Sequence, residues 1–381
     1  MDFTLSERES EVKKLARDFA EKEIAPFVMK FDESKEFPFD IVNKLGELGF
    51  LGIIFPEEYG GSEFTVTEYA IIIEEISRID PSIGLTVASH NGLCTNHIYT
   101  FGNEEQKKKY LPDLTSGKKL GAWGLTENIS GSDASSMQSF AEKKDGYYLL
   151  NGSKVFITQG SVGQIAVVTA VTDKSNPKKG ISAFILEKGM EGFLVGKKEN
   201  KLGMRASDTT ELIFENVKVP AENLIGKENE GFRQVLQILD GGRIAIGALA
   251  LGIAQGALDA IIKYSKQRKQ FGKYLSEFQA TQFKISEIST EIEAARLLIF
   301  KAAYMKEQKQ DINMQSSMAK LFASEVATRA TNEAVQIYGG YGFIKDFPVE
   351  KLYRDVKLTT IGEGTSEVQR MIIAKNILNY F

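Results

Sequence analysis

The chain has 381 residues, 43% of them hydrophobic and 26% charged, with a formal net charge of −4. This is the balance of an ordinary globular protein with a sizeable core, and it argues against a nucleic acid or an anionic membrane as the main partner. The single cysteine, Cys94, excludes an internal disulfide and fits a reducing compartment.

The opening "MDFTLSERES" has no basic stretch followed by an apolar run. No signal peptide is expected, and the protein is expected in the cytoplasm. Ser6 and Glu9 stand at capping-box spacing, and Val12, Leu15, Ala16 and Phe19 recur at helical period. "FDIVNKLGELGF" and "TVTEYAIIIEEISRID" also read as helices, the second stopping before Pro81 because proline disfavours helical geometry in its predecessor. In "SHNGLCTNH", His90, Cys94 and His97 would share a helix face and could hold zinc. No carboxylate stands beside them as a catalytic partner, so a packed helix is the plainer reading and no metal is expected. The lysines of "QKKKY" (106–110) and "NPKKG" (176–180) read as solvated surface.

From residue 121 the pattern changes. Asp145-Gly146 and Asn151-Gly152 are hairpin signals between β-prone runs, and "QIAVVTAVT", "ISAFILEK" and "TTELIFENVKVP" read as strands. Helical period returns after "GKENEGF". A first long helix carries Gly247, Gly252 and Gly256, where another helix can approach closely, and its apolar run 244–254 is too short to span a membrane. Two more long helices follow, the last ended by glycines at "QIYGG". The expected architecture is α+β: an N-terminal helical domain (1–120), a middle β-domain (121–230) and a C-terminal helical bundle (231–381).

Common catalytic signatures are missing. There is no G-x-G-x-x-G, Walker A, G-x-S-x-G or H-E-x-x-H, and there are two histidines in all. What remains are polar, glycine-rich junctions: "GAWGLTENISGSDASS", "KVFITQGS", "KQRKQFGKYLSEFQ" with a phosphate-suited Arg268, and "QIYGGYGF". Together they make a parts list for a large, flat, phosphate-bearing cofactor. In "TTIGEGTSEVQR", Glu363 stands between Gly362 and Gly364. It reads either as a solvated acid before a helix capped by Ser366 and Gln369, or as a base held close to a substrate.

In order and spacing, "WGLTE…GSDAS", "NGSKVFIT", "LDGGRIAIGALALGIAQGAL", "YSKQRKQFGK", "AVQIYGGYGF", "VEKLYRD" and "EGTSEVQR" resemble the acyl-CoA dehydrogenase family over essentially the whole chain. "LDGGR" and "KVFIT" look most like its short-chain, butyryl-CoA branch. The resemblance implies a helical domain, a β-barrel or sandwich and a four-helix bundle. It also implies FAD, an acyl-CoA substrate oxidised to trans-2-enoyl-CoA, electron-transfer flavoprotein as acceptor, and a homotetramer built as a dimer of dimers.

Carried over by residue, Thr126 and the backbone around Trp123, Leu125 and Ser132 would hydrogen-bond the flavin. Phe156 would lie against the isoalloxazine, beside Ile157, with Thr158 bonding near N5. Arg268, Gln270 and Phe271 would reach the FAD of a neighbouring subunit, as would Gln336, Gly339 and Gly340. Phe278 and Gln279 match a further flavin-contact pair, and Thr365 and Glu367 would close the adenine side. Ser132, Asp240, Arg243 and Gly364 would meet the acyl-CoA, and Glu363 matches the catalytic base. Gly242 stands where some relatives carry the base instead. Two departures stand out. Asn128-Ile129 replaces a frequent Pro-Gly, and Gly362 replaces a frequent Tyr, which leaves room for a branched or cyclic acyl group.

Overall fold

The structure, a computed structural model, describes residues 4–177 and 179–380. Residues 1–3 of the opening segment and Lys178 of the lysine-rich turn lie outside the described residues.

Seven α-helices come first among the described residues: α1 (Glu7–Phe19), α2 (Val28–Ser34), α3 (Phe39–Glu47), α4 (Val66–Ile79), α5 (Pro81–Ser89), α6 (Asn96–Phe101) and α7 (Glu104–Thr115). The expected capping box closes α1: Glu9 N–H donates to the Ser6 hydroxyl and Ser6 N–H to the Glu9 carboxylate. Thr65 and Glu68 build the same device at α4. Helix α4 stops at Ile79, and extended Asp80 caps α5 by accepting from Ser82 N–H. The segment His90–Thr95 is a π-helical turn. The rings of His90, its first residue, and of His97, just beyond it, are both fully used. His90 pairs with the Leu114 carbonyl and accepts from Gly121 N–H, and His97 pairs with Gln234 and accepts from the Trp123 indole. These histidines fasten the first domain to the second.

The middle domain holds β1 (Gly121–Gly124), β2 (Phe140–Lys143), β3 (Tyr147–Thr158), β4 (Ile165–Val171), β5 (Ile181–Glu187), β6 (Phe193–Lys198), β7 (Thr209–Pro220) and β8 (Leu224–Ile225). They form one sheet in the order β6-β7-β3-β2-β4-β5-β8, with β1 parallel to β4. Strands β2 and β4 meet only at Phe140 and Val171, so the sheet folds there. Leu150, Leu212 and Phe214 from one arm and Val168, Phe184 and Leu186 from the other share one core, as in a sandwich.

Asp145-Gly146 makes the expected β2–β3 turn, with Gly146 at φ 78. Asn151-Gly152 does not turn; it lies inside β3. Opposite it β7 bulges at Asn216, whose N–H donates to the Asn151 side chain at 2.9 Å. Gly152 is needed because a Cβ there would come within 2.7 Å of Ser139 Cα. The dipeptide serves close approach, not reversal.

The third part contains α8 (Gly231–Ser265), a small hairpin of β9 (Lys269–Gln270) and β10 (Lys273–Tyr274), α9 (Gln279–Glu307), α10 (Asn313–Tyr338), α11 (Val349–Asp355) and α12 (Ser366–Tyr380). Helix α8 packs on α4, α9 and α10, and α12 packs on α10. By length and composition α8 could cross a membrane, which its uninterrupted apolar run alone does not reveal. Yet 83% of its most apolar 18-residue stretch is buried inside the protein. Gly252 and Gly256 admit the end of α4, and Gly247 lies near α10, where a Cβ would come within 3.6 Å of the Lys320 backbone.

A buried ionic knot joins the three parts. Lys351 of α11 donates to Asp80 at 3.0 Å and to Asp355 at 2.5 Å, and Asp355 accepts from Met204 N–H at 2.6 Å. Burial alone would neutralise the lysine, but the two carboxylates hold its pKa above the ordinary value. Lys351→Ala leaves buried carboxylates without their cation and is expected to cost about 3–5 kcal/mol. Denaturant unfolding measures this, and a midpoint equal to that of the parent would show the knot to be dispensable.

Candidate active site

Two residues of the 362–364 turn are left-handed: Glu363 at φ 52 and Gly364 at φ 98. A side-chain-bearing residue costs about 1–2 kcal/mol there. The turn is held by its carbonyls. Lys320 of α10 donates to the Gly364 oxygen at 2.6 Å, and Gln369 donates to the Glu363 and Gly364 oxygens at 3.2 and 2.9 Å. The expected Ser366–Gln369 capping box is therefore not formed. Helix α12 starts at Ser366, so Thr365 is its cap and accepts from Val368 N–H at 3.3 Å, while Gln369 is spent on the turn.

Glu363 is half-buried, not a freely solvated acid. Its Oε2 is buried without a hydrogen-bond partner and rests on the bare backbone of α8 at Gly242. A Cβ on Gly242 would overlap that oxygen and come within 2.8 Å of Glu363 Cδ. Burial pushes the carboxyl pKa up to about 7, against the opposing charges of Lys320, Arg243 and Lys306.

Around this acid, Arg243 bonds Asp240 at 2.6 Å and Ser317 at 3.3 Å. Asn313 donates to Asp240 at 2.8 Å and is held by Asn376 at 2.9 Å. Burial lowers the Lys320 pKa to about 8, partly offset by Glu363. Sequence reading missed Lys320 and Lys306, and gave Gln369 to the helix cap rather than to the turn. For Lys320 a signal exists: it interrupts a buried row of small residues, Ser316, Ser317, Ala319, Ala323 and Ser324. Lys306 sits in the charged run "MKEQKQ" and stands out in no way. Its ammonium lies over Gly241, where a Cβ would come within 3.4 Å of Lys306 Cε.

A second set lies on the rim of the β-domain. Strand β3 bulges between Lys154 and Ile157, which places Phe156 at φ 60 and leaves the residue 64% exposed. An exposed aromatic ring on a strained backbone is poor folding economy and points to a role in binding. Thr158 ends the strand, half-buried. Ile157 points into the sheet core, and the Trp123 indole N–H is spent on His97, so these two can offer a ligand only backbone or ring edge. Leu125 is buried, its carbonyl taken by Lys154 at 3.1 Å. Thr126 is half-buried and Ser132 exposed. Asn128 and Ile129 form a tight turn closed by Glu127 and Ser130.

A third set surrounds a cleft of about 570 Å³ between the end of α8 and the end of α10. Arg268, Gln270, Gly339 and Gly340 line it with Tyr338 and Tyr341, and Glu363 does not. The Arg268 guanidinium lies over the Tyr341 ring at 5.5 Å. A Cβ on Gly339 or Gly340 would meet nothing within 4 Å, so the backbone is open to a ligand. Gln336 is exposed beside the cleft, at the end of α10. Phe271 tops the β9–β10 turn at φ 51, 94% exposed. Phe278 caps α9, with Gln279 exposed as its first residue. Glu367 is exposed in the first turn of α12, its pKa lowered by a backbone amide and Thr365.

Comparison with known proteins shows which family the chain belongs to. The acyl-CoA dehydrogenase N-terminal, middle and C-terminal domain families match residues 6–118, 122–217 and 229–378. The chain belongs to the acyl-CoA dehydrogenase family.

An acyl-CoA dehydrogenase of Bacillus subtilis is 50% identical over 96% of this chain and 97% of its own length. The solved butyryl-CoA dehydrogenase of Megasphaera elsdenii is 47% identical with a TM-score of 0.97, covering 99% of this chain and 100% of that one. A chain solved in work on the electron transferring flavoprotein of Acidaminococcus fermentans is 49% identical with a TM-score of 0.98, covering 99% and 100%. This acyl-CoA dehydrogenase is thus an oxidoreductase acting on a CH–CH bond, with FAD as cofactor. The residues present fit that group: a free aromatic face at Phe156, polar groups on the adjoining loop, and an arginine beside two open glycines.

Proposed function

We propose that the chain dehydrogenates a short-chain acyl-CoA between Cα and Cβ, giving the trans-2-enoyl-CoA, with Glu363 as base. The observation that carries this is the buried, unpartnered Oε2 of Glu363 on a left-handed turn. Such an oxygen has an unused acceptor lone pair, and its raised pKa suits proton abstraction near neutrality. The Glu363 amide, beside two glycines, is free to approach the thioester oxygen and stabilise the charge that develops as the α-proton leaves. Asp240, Arg243, Ser132 and Gly364 would hold the acyl-CoA. FAD, when bound, supplies the acceptor for the β-hydrogen and its electron pair. Phe156, Thr126, Thr158 and the backbone of Trp123, Leu125 and Ile157 would hold that cofactor on the rim, with Phe278, Gln279, Thr365 and Glu367 at its margins.

The cleft at Arg268 excludes Glu363 within one chain. This supports an assembly in which Arg268, Gln270, Phe271, Gln336, Gly339 and Gly340 serve the FAD of a neighbouring subunit. We propose a homotetramer in the cytoplasm, with electron-transfer flavoprotein as acceptor, the latter supported by the Acidaminococcus relative. Arg268→Ala is expected to weaken FAD binding about 10- to 100-fold, the value of a charged hydrogen bond. Equilibrium dialysis reads this, and unchanged retention removes Arg268 from the cofactor site.

Because Glu363 must be ionised to accept a proton and burial lifts its pKa to about 7, kcat/KM should fall as pH drops below 7. A limb at ordinary carboxylate pH would contradict a desolvated base. The function itself is tested by anaerobic flavin bleaching with straight, branched and cyclic acyl-CoAs. A butyryl-type substrate should bleach fastest, and no bleaching by any of them overturns the reading. Gly362 favours a second reading, a branched or cyclic acyl group, since a Cβ there makes only ordinary contacts with Leu358 at 3.5–3.7 Å and the space is free. Fast reoxidation of the bleached enzyme by air would make it an oxidase.

A further inference from the structure

Lys154 is a charged residue in the middle of β3, wholly buried. Its stem crosses β1 at Gly124, where a Cβ would come within 3.2 Å of Lys154 Cγ. Its ammonium donates to Glu127 Oε1 at 2.7 Å and to the Leu125 carbonyl at 3.1 Å, with Met137 Sδ at 3.8 Å. Glu127, also buried, accepts from Gln138 N–H at 2.6 Å and Ser139 N–H at 3.0 Å. Next along β3, Val155 N–H donates to the Thr126 carbonyl at 2.9 Å. The residue after that is Phe156, on its bulge.

These contacts gather both ends of the 126–138 loop onto the strand that presents Phe156. A buried ion pair is costly and adds little stability compared with apolar residues of the same volume. Its use must lie in geometry. Burial pulls the Lys154 pKa down to about 8, against Glu127, while Glu127 stays below the usual carboxylate range once the lysine and the two amides offset its own burial.

We infer that Lys154 and Glu127 are positioning residues for FAD, locking the Thr126 loop and the Phe156 bulge at one fixed separation. The inference rests on the proposed cofactor site. With the lock intact, the loop amides and the Phe156 ring need no ordering when FAD binds, and affinity rises accordingly. Without it, the chain folds but meets the flavin with a loose loop.

The test uses the double variant Lys154→Met/Glu127→Gln, which removes both charges and leaves neither buried alone. Expected is a 10-fold or greater rise in the FAD dissociation constant and an altered visible circular dichroism of bound flavin, with the unfolding midpoint of the FAD-free protein within a few degrees of the parent. Gln138→Pro is a milder second variant. It deletes one amide donor to Glu127, behind Met137 whose extended backbone accepts a following proline. It should give a smaller shift in the same direction. FAD affinity and dichroism equal to the parent in either variant overturn the inference. A parent protein that takes up no FAD overturns the cofactor site itself, and the inference with it.

Discussion

Glu363→Gln is expected to keep FAD and acyl-CoA binding while losing substrate-dependent flavin bleaching by about 100- to 10,000-fold, the usual contribution of a general base. The substitution is close to isosteric. The hydrogen bonds that hold the turn come from the Glu363 and Gly364 carbonyls, not from the carboxylate, so the left-handed geometry survives. The buried Oε2 makes no hydrogen bond that the amide would break. What disappears is the basic lone pair and a negative charge facing Lys306, Lys320 and Arg243. Stopped-flow anaerobic bleaching measures the loss. Near-parental bleaching would place the base elsewhere.

Gly242→Ala is expected to lower kcat about 100-fold without harming the fold. Alanine in a helix interior is favoured over glycine by roughly 0.5–1 kcal/mol, so α8 itself gains. The added methyl occupies the space of Glu363 Oε2, and the far end of a flexible side chain yields more readily than backbone. The carboxylate is displaced by about an ångström, which is enough to cost two orders of magnitude in a proton transfer. A lowered kcat with an unfolding midpoint at or above the parent's is the signature. Parental kcat would mean that the base does not work from its resting place on α8.

Local signals with a stereochemical origin were readable in the chain. Ser6 with Glu9, the helix stop before Pro81 and the Asp145-Gly146 turn depend only on neighbours in sequence. Long-range requirements were not. Asn151-Gly152 looks like a hairpin because its demand for glycine comes from Ser139, just before another strand. Ser366 with Gln369 looks like a cap because nothing local reveals that Gln369 is needed by the turn before it. Lys154 appeared within a recognised motif, yet its partner lies 27 residues away and its burial is set by β1. For Glu363 the flanking glycines were visible, but the bare patch of α8 that receives its carboxylate becomes visible only in three dimensions.

The Lys351 knot has a consequence for how substrate gets in. It binds the α4–α5 junction, the Met204 segment and α11 with buried charges that are costly to leave without their partners. A jaw-like opening of the middle domain would drag those charges apart into a half-wet gap. The knot therefore opposes hinge motion between the three parts, and rotamers and short loops, which move in nanoseconds to microseconds, are the less costly way to admit an acyl chain. Changes in which acyl chain is accepted are then made by swapping side chains such as the one absent at Gly362, with the frame left untouched.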